Sequence, residues 1–408
     1  MYNKMKVACP TYFKKFSCIG GKCENTCCKA WDIEIDKNTF EQYNAITDEN
    51  AKLMLKKNIQ VNEECISSDL DYGLIKLDHE EMCPFLDKNK YCTIYSTLGE
   101  EYLSNICTHF PRIMNKVDNN YEISLDVACY EAAKLILGEK EEIKFELIQK
   151  EFIKYIINDE YNTNSKKYRN TPIKYFKEIR IFSIKIMQNR KFDISQRLYI
   201  LGAFIEGLEK ISAYDCNGIQ MFIKDFDMDS AAMVYVRDRN DYIFQVEFFQ
   251  NIVNSYNMSE DNTGNTLKEF KDVLINGFDV KYSNISREDK KKYINAFNKY
   301  DREITEKYGY IFENYIVNFI YNYLFPFSES EDMFEGYLML VLRYSFIRFY
   351  LFGIYINNIM DTDSEEHIIK FISIFGRSIE HDKNYLPNME DYIEKNKYCN
   401  MTFAKKIL

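Results

Sequence analysis

The spacing of hydrophobic residues predicts different structures for the two ends of the chain. From about Ala128 onward, apolar residues recur every three or four positions, as in the run from Ile194 to Ile211, and this period places them on one face of a helix. Asp193 stands directly before that run as a candidate N-cap. The C-terminal two thirds of the chain is therefore predicted to be nearly all α-helical.

Two later apolar stretches carry helix-start signals. The pairs Ser328/Glu331 and Thr362/Glu365 have capping-box spacing ahead of them. The first stretch is the most apolar in the chain, but it contains two arginines, at 343 and 348, and arginines at the centre of a membrane-spanning helix are costly. We predict a helix buried in the protein or against a partner, and no membrane insertion.

The N-terminal region shows short alternating runs instead. Residues 31–35 and 74–77 alternate apolar and polar side chains and predict small strands, and at least one helix is expected near residues 39–58. The predicted fold class is mainly α, with two domains. Residues 1–130 form a small, irregular α+β, cysteine-rich metal-binding domain, and residues 131–408 form a large all-helical domain.

Composition supports a folded, helix-rich protein. The 408 residues are 46% apolar and 28% charged, with only six prolines and fourteen glycines. The net charge of −10 argues against a nucleic-acid binder, because such proteins concentrate basic residues on one face. An acidic surface would tolerate a protein substrate that presents lysines. No apolar signal region follows the first residues, which predicts a cytoplasmic protein.

Cysteine is distributed very unevenly. Ten of the twelve cysteines lie at or before Cys129, and eight of those ten form a pattern of closely spaced groups. Thiolate is the soft ligand shared by zinc and iron–sulfur clusters, and each such site commonly takes four thiolates. Eight thiols therefore suffice for two sites, or for one site with auxiliary groups. The candidate metal ligands are Cys18, Cys23, Cys27, Cys28, Cys83, Cys92, Cys107 and Cys129.

Disulfides and ordinary buried thiols fit this pattern less well than metal binding. Disulfides are rare in a reducing compartment, where a long chain without a secretion signal is expected to stay. Ordinary burial accounts for isolated cysteines such as Cys216 and Cys399, but not for four cysteines within eleven residues. The adjacent residues Cys27 and Cys28 generally project in different directions, so one of them serves a second site or none.

Ligand type alone does not separate zinc from iron–sulfur. The spacing disfavours a radical S-adenosylmethionine enzyme, because the motif Cys-x3-Cys-x2-Cys would begin at Cys23 and Cys27 but meets Ala30 at its third position. His109 is either a nitrogen ligand or a structural histidine. Arg112 is a candidate partner for a carboxylate of the substrate or of the protein itself.

Several short motifs stand out along the chain. They are residues 7–12, the cysteine cluster through residue 33, Cys-Pro-Phe-Leu at 83–86, Cys-Thr-Ile-Tyr at 92–95, and Phe-Gly-Arg-Ser-Ile-Glu-His at 375–381. Together these motifs resemble those of the flagellin lysine N-methylases called FliB. The cysteine region is also similar to the wider eight-cysteine zinc- or iron-chelating domains, although it lacks the Arg-Pro pair that those domains often have between their Ile-Tyr and the next cysteine.

The resemblance implies a protein-lysine N-methyltransferase. Such an enzyme transfers the methyl group of S-adenosylmethionine to surface lysine ε-amines of flagellin, the protein of the bacterial flagellum, with a [4Fe–4S] cluster taking part. No Gly-x-Gly-x-x-Gly follows a predicted strand, so a Rossmann-type donor site is not expected. Our hypothesis from the sequence places the cluster next to the sulfonium of the donor. The helical residues 131–408 are the candidate region for binding S-adenosylmethionine or flagellin.

The closing Arg-x-x-Glu-His element supplies two candidate catalytic residues, Glu380 and His381, because a Glu–His pair can accept a proton. A histidine at a helix C-terminus also interacts with the helix dipole, which is a structural alternative. The competing function is a non-catalytic module that zinc thiolates fold and that recruits partners. An electron-transfer protein would need a redox-partner surface, which the sequence does not identify.

Overall fold

The computed structural model describes residues 3–23, 25–29, 32–152, 154–236, 238, 241–255, 287–327, 329–356, 364–377 and 385–408. Helices dominate these residues, so the predicted mainly α class is confirmed. A π-helical turn, Asp301–Thr305, joins two of the helices. The α-helices are α1 (Lys37–Asn44), α2 (Glu49–Asn58), α3 (Thr93–Leu98), α4 (Asn105–His109), α5 (Tyr130–Leu137), α6 (Phe176–Met187), α7 (Ile194–Ser212), α8 (Ile219–Asp225), α9 (Met228–Val234), α10 (Asp241–Ser255), α11 (Arg287–Tyr300), α12 (Glu306–Asn322), α13 (Met333–Ile356), α14 (Glu365–Phe375), α15 (Tyr385–Lys395) and α16 (Met401–Ile407).

Two β-sheets occupy the N-terminal part of the chain. The larger has the strand order β7-β1-β6-β5-β8, with β1 parallel to β6 and antiparallel to β7. The smaller has the order β2-β4-β3 and is antiparallel throughout. The strands are β1 (Asn3–Pro10), β2 (Glu34–Ile35), β3 (Ile59–Val61), β4 (Gly73–Ile75), β5 (Arg112–Val117), β6 (Asn120–Leu125), β7 (Phe145–Phe152) and β8 (Glu160–Tyr161).

Two hydrophobic cores underlie these sheets. The small core lies beneath β2, β3 and β4 and is built from residues between Ile33 and Ile94, including the thiol-bearing Cys83. The large core joins one face of the five-stranded sheet to the helices from α5 to α16. The strands of the large sheet therefore pack against the helices, although most of these strands precede residue 131. The boundary drawn at residue 130 stays a prediction.

One expectation about secondary structure is corrected. The region after residue 130 is helical from α6 onward, but residues 145–161 contribute β7 and β8, because β7 pairs along all eight residues of β1 and satisfies the backbone groups of that edge. The prediction of at least one helix near residues 39–58 is confirmed, since two helices, α1 and α2, lie there. The second begins afresh at Asp48, whose side chain accepts a hydrogen bond from Ala51 N at 2.8 Å.

The predicted helix starts are partly confirmed. Asp193 caps α7 in a full capping box with Gln196. Ser328 and Thr362 lie outside the described residues, and α14 is capped instead by Ser364, which accepts a hydrogen bond from His367 N at 3.2 Å. The sequence pattern therefore predicted both helices, whereas the residue that caps each helix depends on the path of the loop before it.

The most apolar helix, α13, lies inside the protein. It is long and apolar enough to cross a membrane, but 89% of its most apolar window is buried by other parts of the protein. Arg343 forms an ion pair with Glu329, and Arg348 donates hydrogen bonds to Gln245 Oε1 at 2.9 Å and to Ser195 Oγ at 3.2 Å. Each buried arginine thus has partners within the protein, as a buried charge requires. The expectation of a buried helix is confirmed.

Glu209 of α7 is expected to make the protein less stable as the pH rises. Its Oε1 accepts a hydrogen bond from Phe334 N at 2.7 Å. Burial, together with a hydrogen bond to the Asp332 carboxyl, raises the pKa of Glu209 from 4.5 to about 8. The folded protein therefore holds a proton that the unfolded chain releases between these pH values. Consequently, the free energy of unfolding falls as the pH rises through this window.

The substitution Glu209→Gln tests this linkage, because glutamine is neutral at every pH. We expect it to flatten the pH dependence of the thermal unfolding midpoint between about pH 5 and pH 8. Glu206→Gln is the control, since Glu206 forms an exposed i,i+4 pair with Lys210 on the same helix. The same pH dependence in Glu209→Gln and in the unsubstituted protein would contradict the raised pKa.

Candidate metal centre

The first cysteine segment is held by a close turn against the loop that carries Cys92. Gly20 has a positive φ of 56°, and a side chain at Gly21 would lie 2.3 Å from the backbone oxygen of Asn89. The ring of Tyr91 packs on both glycines, at 3.1 Å from the position that each Cβ would occupy. Only glycine permits this approach. The turn therefore brings the segment that contains Cys18 and Cys23 to the loop that precedes Cys92.

Four thiols form a first group around Cys28. The backbone N–H of Cys83 donates to the carbonyl of Cys28 at 2.8 Å, which ties two distant segments together. Cys92 precedes α3 and Cys107 lies within α4. Cys28 acts electrostatically on each of the other three, and burial is the main reason that the pKa of each rises, for Cys107 to about 12. We call Cys28, Cys83, Cys92 and Cys107 the first thiol group.

The remaining thiols lie around the start of α5. Burial, with a contribution from Cys23 and Cys18, raises the pKa of Cys129 to about 11. Cys27 stands between the two sets, because its thiol hydrogen-bonds to Cys28 and also lies near Cys107 and Cys18. This hydrogen bond raises the pKa of Cys27 and lowers that of Cys28. We call Cys18, Cys23, Cys27 and Cys129 the second thiol group, and we include Cys27 because adjacent cysteines generally project in different directions.

Arg377 links the helical part of the protein to the cysteine loop. It follows α14, and its guanidinium donates to the carbonyl oxygens of Thr26 at 2.8 Å, Asn25 at 3.3 Å and Lys29. Burial lowers the pKa of Arg377, while the nearby thiols Cys27, Cys23, Cys28 and Cys129 act in the opposite direction. This residue is the arginine of the Arg-x-x-Glu-His element, so the sequence had marked its position but not its contact.

Two further cations border the thiols, and the sequence alone did not identify their role. Arg112 lies over the Phe16 ring at 5.6 Å and is close to Cys18 and Cys129. Lys154 donates to Leu103 O at 2.6 Å and lies near Cys107. Positive groups at these positions would offset the negative charge that thiolates bring to a metal site. Arg112 thus lies near both thiols and the carboxylate of Glu100, and a carboxylate of the protein was one of its expected partners.

The donor set has the chemistry that zinc and iron–sulfur clusters require. Eight thiols from four separate segments are gathered near three cations, whereas an ordinary core would scatter its cysteines. Within the described residues, no three Cys, His, Asp or Glu side chains stand close enough together to hold a single metal ion. The assignment of these eight cysteines as ligands stays a prediction.

The other candidate site residues are placed as follows. His109 is buried, and burial with the neighbouring Arg112 lowers its pKa to about 4, so the imidazole is neutral at pH 7. Its Nε2 accepts or donates no hydrogen bond in the described part of the chain. Glu380 and His381 lie outside the described residues. Their candidacy as catalytic residues stays a prediction.

Comparison with known proteins connects the helical part to one family. The family model described as the FliB lysine N-methylase C-terminal domain matches residues 180–407, more than half of the chain. The flagellar biosynthetic protein FliU of Salmonella muenchen is 32% identical over 167 residues, which cover 41% of this chain and 96% of that protein. No solved structure matches the chain.

Two lysine N-methylases are also similar over part of their length. The proteins from Salmonella typhimurium LT2 and Salmonella choleraesuis SC-B67 are each 27% identical over 216 residues, or 52% of this chain. The match covers only half of each of those proteins. The family model nevertheless spans most of the helical region, from α6 to α16. The chain therefore belongs to the FliB lysine N-methylase family.

Proposed function

We propose that this protein is an S-adenosylmethionine-dependent methyltransferase that methylates surface lysine ε-amines of flagellin. The match of residues 180–407 to the FliB lysine N-methylase C-terminal domain carries the proposal. The names of the relatives support its parts, since two are lysine N-methylases and a third is a flagellar biosynthetic protein. A net charge of −10 suits a substrate surface that presents lysines.

The transfer itself is a simple displacement. The lone pair of a neutral lysine amine attacks the methyl carbon of the sulfonium. A C–N bond forms while the C–S bond breaks, and S-adenosylhomocysteine leaves as a neutral thioether. The lysine must first lose a proton, because its reference pKa is about 10.4. The protein therefore has to position the amine near a proton acceptor and exclude competing water.

We further propose that the two thiol groups hold metal, as [4Fe–4S] clusters, with zinc as the alternative. The first thiol group would supply one set of four ligands and the second thiol group the other, which separates Cys27 from the adjacent Cys28. A bound cluster would supply a thiolate-held, redox-active metal group. Arg377, Arg112 and Lys154 would balance its charge. Arg377 and Lys154 would also hold the cysteine segments against the rest of the protein.

An assay with purified components tests this function. The protein is purified without oxygen, analysed for iron, sulfide and zinc, and incubated with flagellin and S-adenosylmethionine that carries an isotopically labelled methyl group. We expect mass spectrometry to detect labelled methyl-lysine in flagellin. Metal analysis should give about four iron atoms for each cluster. Flagellin with acetylated lysines is the control and should remain unlabelled. Stoichiometric zinc without any transfer would instead support the non-catalytic zinc-thiolate module.

A further inference from the structure

A cavity of about 620 Å³ lies within the helical part, away from the thiols. It is bordered by the turn between α6 and α7, by α10, and by the junction of α11 with α12. Its volume falls in the range of cavities that bind small molecules and cofactors. None of the residues that line it belongs to either thiol group. The family match over residues 180–407 includes every one of these lining residues.

The start of α7 gives this cavity an attraction for anions. Asp193, Ile194 and Ser195 line it, so the N-terminus of a 19-residue helix faces the space. Arg197, in the same first turns, is only 5% exposed, and its buried Nε has no hydrogen-bond partner within the described chain. A buried donor without a partner is costly. The helix terminus and the guanidinium of Arg197, which lines the cavity, both favour a ligand group that accepts hydrogen bonds.

The charges around the cavity are balanced rather than uniformly positive. Glu313 is 1% exposed and holds two arginines in place, since it accepts from Arg197 Nη1 at 2.6 Å and from Arg190 Nη2 at 2.9 Å. Arg302 adds a further cation, and Asp301 accepts a hydrogen bond from Tyr242 at 2.9 Å. A cavity with both signs of charge suits a zwitterion. A simple phosphate would meet the carboxylates as well as the arginines.

Two features of the backbone keep the cavity open. The π-helical turn Asp301–Thr305 forms part of its wall, and such turns are rare and occur frequently at functional sites. Gly309 also lines the cavity, and a Cβ added there would meet no atom within 4 Å. Glycine weakens a helix, and packing does not require it at this position. A larger side chain at Gly309 would project into the space that a ligand needs.

We propose that this cavity binds S-adenosylmethionine, the methyl donor of the proposed function, on which this inference rests. The donor is a zwitterionic amino acid joined to a nucleoside, and each part finds a counterpart. The carboxylate would lie at the α7 N-terminus and its arginines, and the ammonium would lie near Asp301. Phe192 and Tyr310 offer ring faces for the purine.

This site is separated from the thiols by the length of a helix. At one end of α5, Cys129 precedes the helix and Ala128 O accepts a hydrogen bond from Ser373 of α14. Beyond the other end, Lys140 donates to Glu365 at 2.6 Å and contacts Tyr310 of the cavity. The eight residues of α5 span about 12 Å. The donor would thus lie apart from the metal, unlike the sequence-based hypothesis that placed them together.

Binding of S-adenosylmethionine and S-adenosylhomocysteine by calorimetry tests the proposal without relying on activity. Gly309→Met fills the cavity and is expected to abolish measurable binding. Lys307→Met is the matched control, because it introduces the same side chain at an exposed position that does not line the cavity. It should bind like the unsubstituted protein. Arg302→Gln removes a surface cation and should weaken donor binding by about tenfold. This variant tests the site if Gly309→Met does not fold.

The outcomes separate this inference from the proposed function. Unimpaired binding in both Gly309→Met and Arg302→Gln would overturn the site, even if flagellin is methylated. Selective loss of binding in these variants would support the site, even if flagellin proves not to be the substrate. Cys28→Ser provides a further test, since donor binding should persist without the metal of the first thiol group. Loss of donor binding in Cys28→Ser alone would overturn the separation of the two sites.

Discussion

Replacing Cys28 with serine is expected to remove the metal of the first thiol group and to abolish methylation of flagellin. Among the described residues, the small core beneath β2, β3 and β4 contains ten buried hydrophobic residues, one of which is Cys83. A core of this size does not hold a domain together unaided, so metal binding and folding are coupled there. We expect residues 32–110 to become susceptible to proteolysis. The large core should still unfold cooperatively, because it does not include this group.

Metal analysis of a second variant shows how the thiols are divided. Cys129→Ser should remove the metal of the second thiol group, so each single variant should retain about half of the metal. Cys65→Ser is the control, since Cys65 is exposed and contacts Asp71 instead of the other thiols. Complete loss of metal in both variants would mean that the eight thiols form one centre. Full metal content and activity in Cys28→Ser would reject the assignment.

Replacing Glu122 with glutamine is expected to destabilise the protein by about 3–5 kcal/mol, because it leaves a buried arginine without its counter-charge. Glu122 of β6 accepts two hydrogen bonds from Arg180 of α6, both at 2.6 Å. Their side chains are only 9% and 8% exposed. The guanidinium also lies over the rings of Phe176 and Tyr321. This pair joins the five-stranded sheet to the helices, so its loss affects the large core as a whole.

Urea unfolding at neutral pH measures this effect. Asp391→Asn is the matched control, because it breaks an exposed i,i+4 pair with Lys395 and should change stability by at most about 0.5 kcal/mol. The double variant Glu122→Leu/Arg180→Met should recover much of the loss, since apolar side chains need no counter-charge. A change below about 1 kcal/mol in Glu122→Gln would show that water or another group replaces the missing charge.

The local sequence predicted the structure correctly wherever interactions within one short segment determine it. The capping box at Asp193 and the buried helix around Arg343 and Arg348 follow from spacing and charge within a few residues. The strand β7 was missed, because apolar and polar residues alternate only weakly along it and only Phe152 is buried. Its structure comes from pairing with β1, more than 130 residues earlier, and no local pattern reports such a partner.

The candidate site also combines features that the local sequence predicted with features that depend on contacts between distant residues. The eight cysteines were identified from their clustering, and the resemblance marked the element that contains Arg377. The hydrogen bonds from Arg377 to the loop at Thr26, and from Lys154 to Leu103 O, could not be predicted. Each of these hydrogen bonds joins residues that lie far apart in sequence. Nothing in the sequence distinguishes Arg377 and Lys154 as donors from the other lysines and arginines. The cavity was also missed, because it is an empty space between helices and leaves no residue pattern of its own.

The sequence by itself determined that this protein is mainly helical, that its thiols are concentrated near the N-terminus, and that it resembles the FliB family. These properties depend on residue type and near-neighbour spacing, which a sequence displays directly. Only the tertiary structure decided that Arg377, Arg112 and Lys154 lie beside thiols, and that a cavity lies beyond the other end of α5. Such features arise when distant segments are packed together, because packing sets which side chains meet and which space stays open.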